Sequence, residues 1–105
     1  MTMIILAHEH VFSGFPPTEG TKFADVVLEL VKGGDKRDIL IDLSGLPPAM
    51  LISAFINGFL QRIYVTDESF LDHARAIQWQ TKFDFQRENV ERWVNDFRPV
   101  VPASA

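Results

Sequence analysis

Two apolar rhythms alternate along this chain, and that alternation constrains its fold more than any other feature. Residues 3–12 are rich in Ile, Leu and Val and run into Ser13-Gly14-Phe15-Pro16-Pro17, a cluster of turn formers, so they predict a first strand. Phe23, Val26, Val27, Leu30 and Val31 then fall at i, i+3, i+4, i+7 and i+8, one face of a helix, with Thr21 as its expected N-cap and Gly33-Gly34 as its stop. After the polar turn Asp35-Lys36-Arg37-Asp38, the unbroken run Ile39-Leu40-Ile41 predicts a central strand covered on both faces. Pro47-Pro48 suit a first helical turn, and Leu51, Ile52, Phe55, Ile56, Phe59, Leu60 and Ile63 follow at helical spacing.

Tyr64-Val65-Thr66 reads as a short extended piece, and Thr66-Asp67-Glu68 as the cap of a short helix that carries Phe70 and Leu71 and reaches Ala74. Residues 75–83 alternate, with Ile77, Trp79, Thr81 and Phe83 on one side and Gln78, Gln80 and Lys82 on the other, as in a half-covered edge strand. Val90, Trp93, Val94 and Phe97 define a last amphipathic helix within residues 86–97, ending before Pro99. Strands that alternate with helices need crossover connections. The expected class is α/β, a small mixed, mostly parallel sheet with helices packed on it. The expected organisation is one domain over residues 1–97 and a tail over 98–105.

Composition narrows the function classes. At 105 residues there is room for a single core. Cysteine is absent, which excludes disulfides, thiolate nucleophiles and Cys-based metal sites. Nine Phe and two Trp supply the apolar area that such a core needs. Ten Lys and Arg against fourteen Asp and Glu leave a formal charge of -4 with no basic cluster, so a nucleic-acid partner is not expected. The apolar run at residues 3–7 is too short for a leader or a membrane span, and the expected address is the cytoplasm.

The segment Asp38-Ile39-Leu40-Ile41-Asp42-Leu43-Ser44-Gly45-Leu46, followed by Ile52-Ser53-Ala54-Phe55-Ile56-Asn57-Gly58-Phe59-Leu60, resembles the core of the STAS-like domains. In that family a buried strand ending in Asp-x-Ser/Glu-Gly-Val/Leu runs into a helix that opens with Ser and carries Phe. Residues 14–23 are similar to the family's loop into its first helix, so the resemblance covers most of residues 1–97. It implies a non-enzymatic regulatory module related to anti-sigma factor antagonists and to the cytoplasmic domains of sulfate transporters. It also implies a protein partner, of the ATP-binding kinase-like kind. In the antagonists a Ser opening the second helix, just after an Asp, is phosphorylated, and the added charge breaks the complex. Ser53 is the nearest match here. Ile52 stands where the Asp would be, and Pro47-Pro48 lengthen the loop, which places Ser53 later in the helix.

The residues themselves leave several readings open. Asp42 ends an apolar strand before a Gly turn, where ligands sit in open α/β sheets; alternatively Asp42 and Ser44 simply bond the turn's own N–H groups. His8 and His10 would share one strand face and, with His73 or Asp72, could hold zinc, or they are solvated side chains. Neither phosphate-loop pattern, G-x-x-x-x-G-K nor G-x-G-x-x-G, occurs. Ser53, Asn57 and Gln61 recur every four residues beside the small Ala54 and Gly58, a stripe that is either a docking or self-association face or a plain solvent face. Trp79, Trp93 and Phe97 are either interface anchors or core. The leading expectation is a protein-binding module acting through Asp42, Ser44, Gly45, Ser53 and Asn57, without cofactor or catalytic residue. Its alternatives are a small metal- or phosphate-dependent enzyme centred on Asp42 with His8 and His10, and a homodimer that pairs the edge strand at residues 77–83 with its own copy.

Overall fold

The computed structural model describes residues 2–12, 14–32 and 38–101. Its elements run β1 (Thr2–Leu6), α1 (Pro16–Leu30), β2 (Asp38–Asp42), α2 (Ser53–Thr66), α3 (Leu71–Arg75), β3 (Gln78–Gln80) and α4 (Asp84–Asp96), with single 3-10 turns at Ala7–Glu9, Pro48–Met50 and Glu68–Phe70. The order β1-β2-β3 is consecutive and both pairings are parallel. The fold is therefore α/β, as the alternating periodicities predict. The expected Gly33-Gly34 stop and most of the polar turn before β2 lie outside the described residues.

Four local expectations need correction. The first strand ends at Leu6, because the chain turns through Ala7–Glu9, with His10 and Val11 N–H groups both returning to the Ala7 carbonyl. Helix α1 begins five residues before Thr21, at Pro16, where the fixed φ of Pro16 and Pro17 suits a first turn; Thr21 lies inside and its hydroxyl donates to the Pro17 carbonyl. Tyr64-Val65-Thr66 finishes α2 instead of extending. Finally, β3 spans three residues of the expected nine, and Phe83 is the exposed N-cap of α4, where the Gln86 side chain accepts its N–H.

The helices occupy one side of the sheet. Helices α1 and α2 pack chiefly on each other, and α4 packs on α2 and β3. Ile5, Ile39, Ile41 and Trp79 face these helices and are buried. In the pairing register Ile4, Leu40 and Gln78 share the opposite face, where Ile4 is 64% exposed. The run Ile39-Leu40-Ile41 is thus central but covered on one face only. Leu40 is half-buried on that open face, flanked across the ladder by Ile4 and Gln78.

The core is a chain of aromatic contacts. Phe23 of α1 meets Phe59 of α2 at 5.5 Å between ring centroids, and Phe59 meets Trp79 of β3 edge-on at 5.8 Å. Trp79 and Phe97 are buried, in keeping with the core reading of both. The Trp79 indole N–H has no partner among the described residues. That omission costs about 1–3 kcal/mol. Burying the ring contributes roughly 4–6 kcal/mol at 25 cal/mol per Å², so burial wins.

Among the described residues Glu19, in the first turn of α1, is the exception to an apolar interior, at 6% exposure. Its Oε1 accepts the Phe12 N–H at 2.9 Å and its Oε2 lies 3.6 Å from Lys22 Nζ, so it ties the preceding loop to the helix start. Glu19→Ala strands that N–H and should destabilise the fold by about 1–3 kcal/mol. Glu19→Gln, which keeps an acceptor oxygen, should retain most of the stability. Urea midpoints of the two variants check this, and equal losses would show that the hydrogen bond is not the cause.

Candidate functional site

The turn after β2 is held by its own residues. Asp42, half-buried at the strand end, accepts the Ser44 N–H at 2.8 Å and the Ser44 hydroxyl at 2.5 Å through one oxygen, Oδ1. This is the turn-bonding reading of the pair. The Leu43 N–H donates to the Gln80 carbonyl at 2.7 Å and carries the β2–β3 pairing one step further. Gly45 lies under the His8 ring, since a Cβ there would stand 2.5 Å from His8 Nδ1. Any side chain at residue 45 would push the imidazole away.

The histidine expectation changes with the 3-10 turn. His8 and His10 do not share a strand face: His8 lies on Gly45, while His10 stacks on Phe23 at 6.4 Å. Among the described residues no group of three His, Cys, Asp or Glu is placed to hold a metal. The sheet order bears on Asp42 as well. Ligand crevices in open α/β sheets form where the strand order reverses and flanking helices leave on opposite sides. A consecutive order with its helices on one side has no such point.

Helix α2 carries the other expected residues. Pro48–Met50 forms a separate 3-10 turn, so the prolines belong to that turn and Ser53 is the first residue of α2, not a later one. Ser53 is exposed and the helix start has no side-chain cap, because its N-cap is Ile52. Asn57 is exposed one turn on, and Gln61 is half-buried. The small residues beside this stripe serve the contact with α1. A Cβ on Gly58 would lie 2.5 Å from the Pro17 carbonyl oxygen, and one on Gly20 would overlap the Phe55 carbonyl oxygen. On the solvent side of the same crossing, Arg62 Nε donates to Asp25 Oδ1 at 2.8 Å. That bond, and then the carboxylate charge, hold the guanidinium's pKa above its ordinary value.

Gln61 is engaged by the C-terminal segment. Its Nε2 donates to the Val100 carbonyl and its Oε1 accepts the Val100 N–H, both at 2.9 Å. Residues 98–101, expected as a tail, therefore lie along α2. Of the expected partner-binding set, Asp42, Ser44 and Gly45 form one turn, and Ser53 and Asn57 form the exposed upper part of the α2 stripe.

Near the start of α2 lies an apolar rim that the expected set omits. Leu51, Phe83, Phe85 and Trp93 line a hollow of about 230 Å³, and Phe83 and Phe85 stack at 5.9 Å while both remain exposed. Phe85 stands off the Val90-Trp93-Val94-Phe97 spacing, and that off-register aromatic was the available signal. The open sheet face is a weaker candidate. Three strands of this length present on the order of 250 Å², well under the roughly 800 Å² per partner of a stable interface.

Compared with known proteins, the chain matches no family model, no curated protein and no solved structure.

Proposed function

We propose that this chain is a non-enzymatic, protein-binding regulatory module of the STAS-like type. Its partner face is the Asp42–Gly45 turn with the opening of α2, and phosphorylation of Ser53 switches it. The observation that carries the reading is Ser53 itself, exposed at the first position of an uncapped helix and two residues from the rim residue Leu51. A phosphate there would add a charge of about -1.5 to -2. The helix start tolerates it, because free N–H groups and the helix dipole favour an anion at that end. A partner seated on Leu51, Ile52 and Phe83 would have to bury it, which is strongly unfavourable. Modification would thus spare the fold and dissociate the complex. The resemblance supports a cytoplasmic setting, no cofactor, and an ATP-binding kinase-like protein as the partner.

The test is affinity capture from native lysate with wild type, Ser53→Ala and Ser53→Asp side by side. A specific partner should be retained by the Ala form and lost by the Asp form, with all three melting within a few degrees of one another. Identical capture by the Ala and Asp forms would overturn the switch.

A further inference from the structure

The two edges of the sheet are unlike. Natural edge strands are kept from pairing with other chains by shortness, charge, proline or a covering element. Strand β3 follows this rule, with three residues of which Gln78 and Gln80 are polar and exposed. Strand β1 does not: Thr2-Met3-Ile4-Ile5-Leu6 holds neither charge nor proline, and Ile4 is 64% exposed. Among the described residues its main chain pairs with β2 alone, which leaves every second N–H and C=O open on the outer side.

Helix α1 overhangs that edge. Helix α2 packs between α1 and α4, and α4 rests on β3, so α1 is the outer helix on the β1 side. Pro17, Gly20 and Asp25 meet α2, while Phe23, Val27 and Val31 enter the core. At about 100° per residue, Val26 and Leu30 then lie on the flank away from α2, above the outer side of β1. Val26 is half-buried there and Leu30 is 46% exposed. Lys22 and Glu29 border this strip on its solvent side, and both are exposed.

Both features fit their own copies. About a two-fold axis through Ile4, β1 pairs antiparallel with β1 of a second molecule, Thr2 opposite Leu6 and Met3 opposite Ile5, and no charge meets its like. The same rotation lays α1 antiparallel to its copy. With the axis between Asp25 and Val26, the two Val26 side chains meet, and Lys22 of each molecule stands opposite Glu29 of the other. One axis serves both pairings. Because β1 and β2 start side by side, α1 runs back along β1, and its midpoint, Phe23, is within about 4 Å of that axis along the helix. Opposite charges around an apolar centre make the strip complementary to itself.

We infer that the outer edge of β1 and the overhanging flank of α1 form a homodimer interface, which joins two three-stranded sheets into one of six strands. The strand that pairs with its own copy is thus β1, at the opposite edge from the expected segment 77–83. The interface leaves the rim of Phe83, Phe85 and Trp93 free, so it stands or falls apart from the Ser53 switch. Its wall is about 22 Å long, the length of α1, and about 15 Å high, a helix above a strand. That is small for a permanent dimer, and the expected dissociation constant is about 1–100 µM.

Sedimentation velocity of the full chain, from about 1 to about 500 µM, should show monomer passing to dimer. Ile4→Lys sets two ammonium groups face to face at the axis, on a side chain that the monomer leaves exposed. It should abolish the dimer and move the melting temperature of the dilute chain by no more than a few degrees. Lys22→Glu and Glu29→Lys should each weaken association about tenfold. An equimolar mixture of those two variants should dimerise as wild type does, since every charge then meets its opposite. A chain that stays monomeric at the highest concentration, or a dimer that Ile4→Lys leaves intact, overturns the interface. A mixture no stronger than its separate components overturns the part assigned to α1.

Discussion

Phe59→Ala should melt roughly 20 °C below wild type, the equivalent of about 3–5 kcal/mol in a domain of this size. Phe59 is fully buried and touches Phe23 on one side and Trp79 on the other, so its ring joins both helices to the sheet. Its removal leaves a cavity bounded by elements that cannot all close in together. Against a total stability of about 5–15 kcal/mol, that loss leaves a partly unfolded population at 37 °C. Phe85→Ala is the control. Phe85 is 62% exposed, and its replacement should change stability by less than about 0.5 kcal/mol. Thermal melts followed by far-UV circular dichroism read both, and equal shifts would contradict the core described above.

Gly20→Ala tests the helix crossing, and there the sign decides. In an exposed helix interior this change stabilises by about 1 kcal/mol. At residue 20 the new methyl would overlap the Phe55 carbonyl oxygen and sit 3.0 Å from the Phe59 nitrogen, both main-chain atoms that no rotamer change can move. Helices α1 and α2 must separate, and overpacking of this kind costs about 1–3 kcal/mol or more. The net expectation is destabilisation of about 2 kcal/mol, read as a lower urea midpoint with an unchanged slope. A stabilised variant would mean that the helices cross elsewhere.

Element order and type were legible because periodicity reports which face is buried, and burial follows the layers. Boundaries were less so. Pro16-Pro17 punctuate a turn and open a helix equally well, and the apolar run at residues 3–12 conceals a 3-10 turn because Ala7 and Val11 stay buried through it. That the sheet is covered on one side was not readable from Ile39-Leu40-Ile41, since Leu40 owes its partial burial to neighbours on other strands. The Ser53-Asn57-Gln61 stripe was visible as a four-residue spacing. Its engagement with Val100 was not, because the partner lies 39 residues away and is met through its main chain, which no side-chain pattern encodes.

The consecutive strand order also has a meaning for synthesis. A sheet whose strands follow one another in chain order grows at a single edge, and no later strand has to be inserted between two that are already paired. As the chain leaves the ribosome, β1, α1 and β2 are complete before α2 is made, and each new helix finds the previous one waiting on the same side. Assembly can proceed in the direction of translation, with β3 as the last strand to join and α4 closing over it.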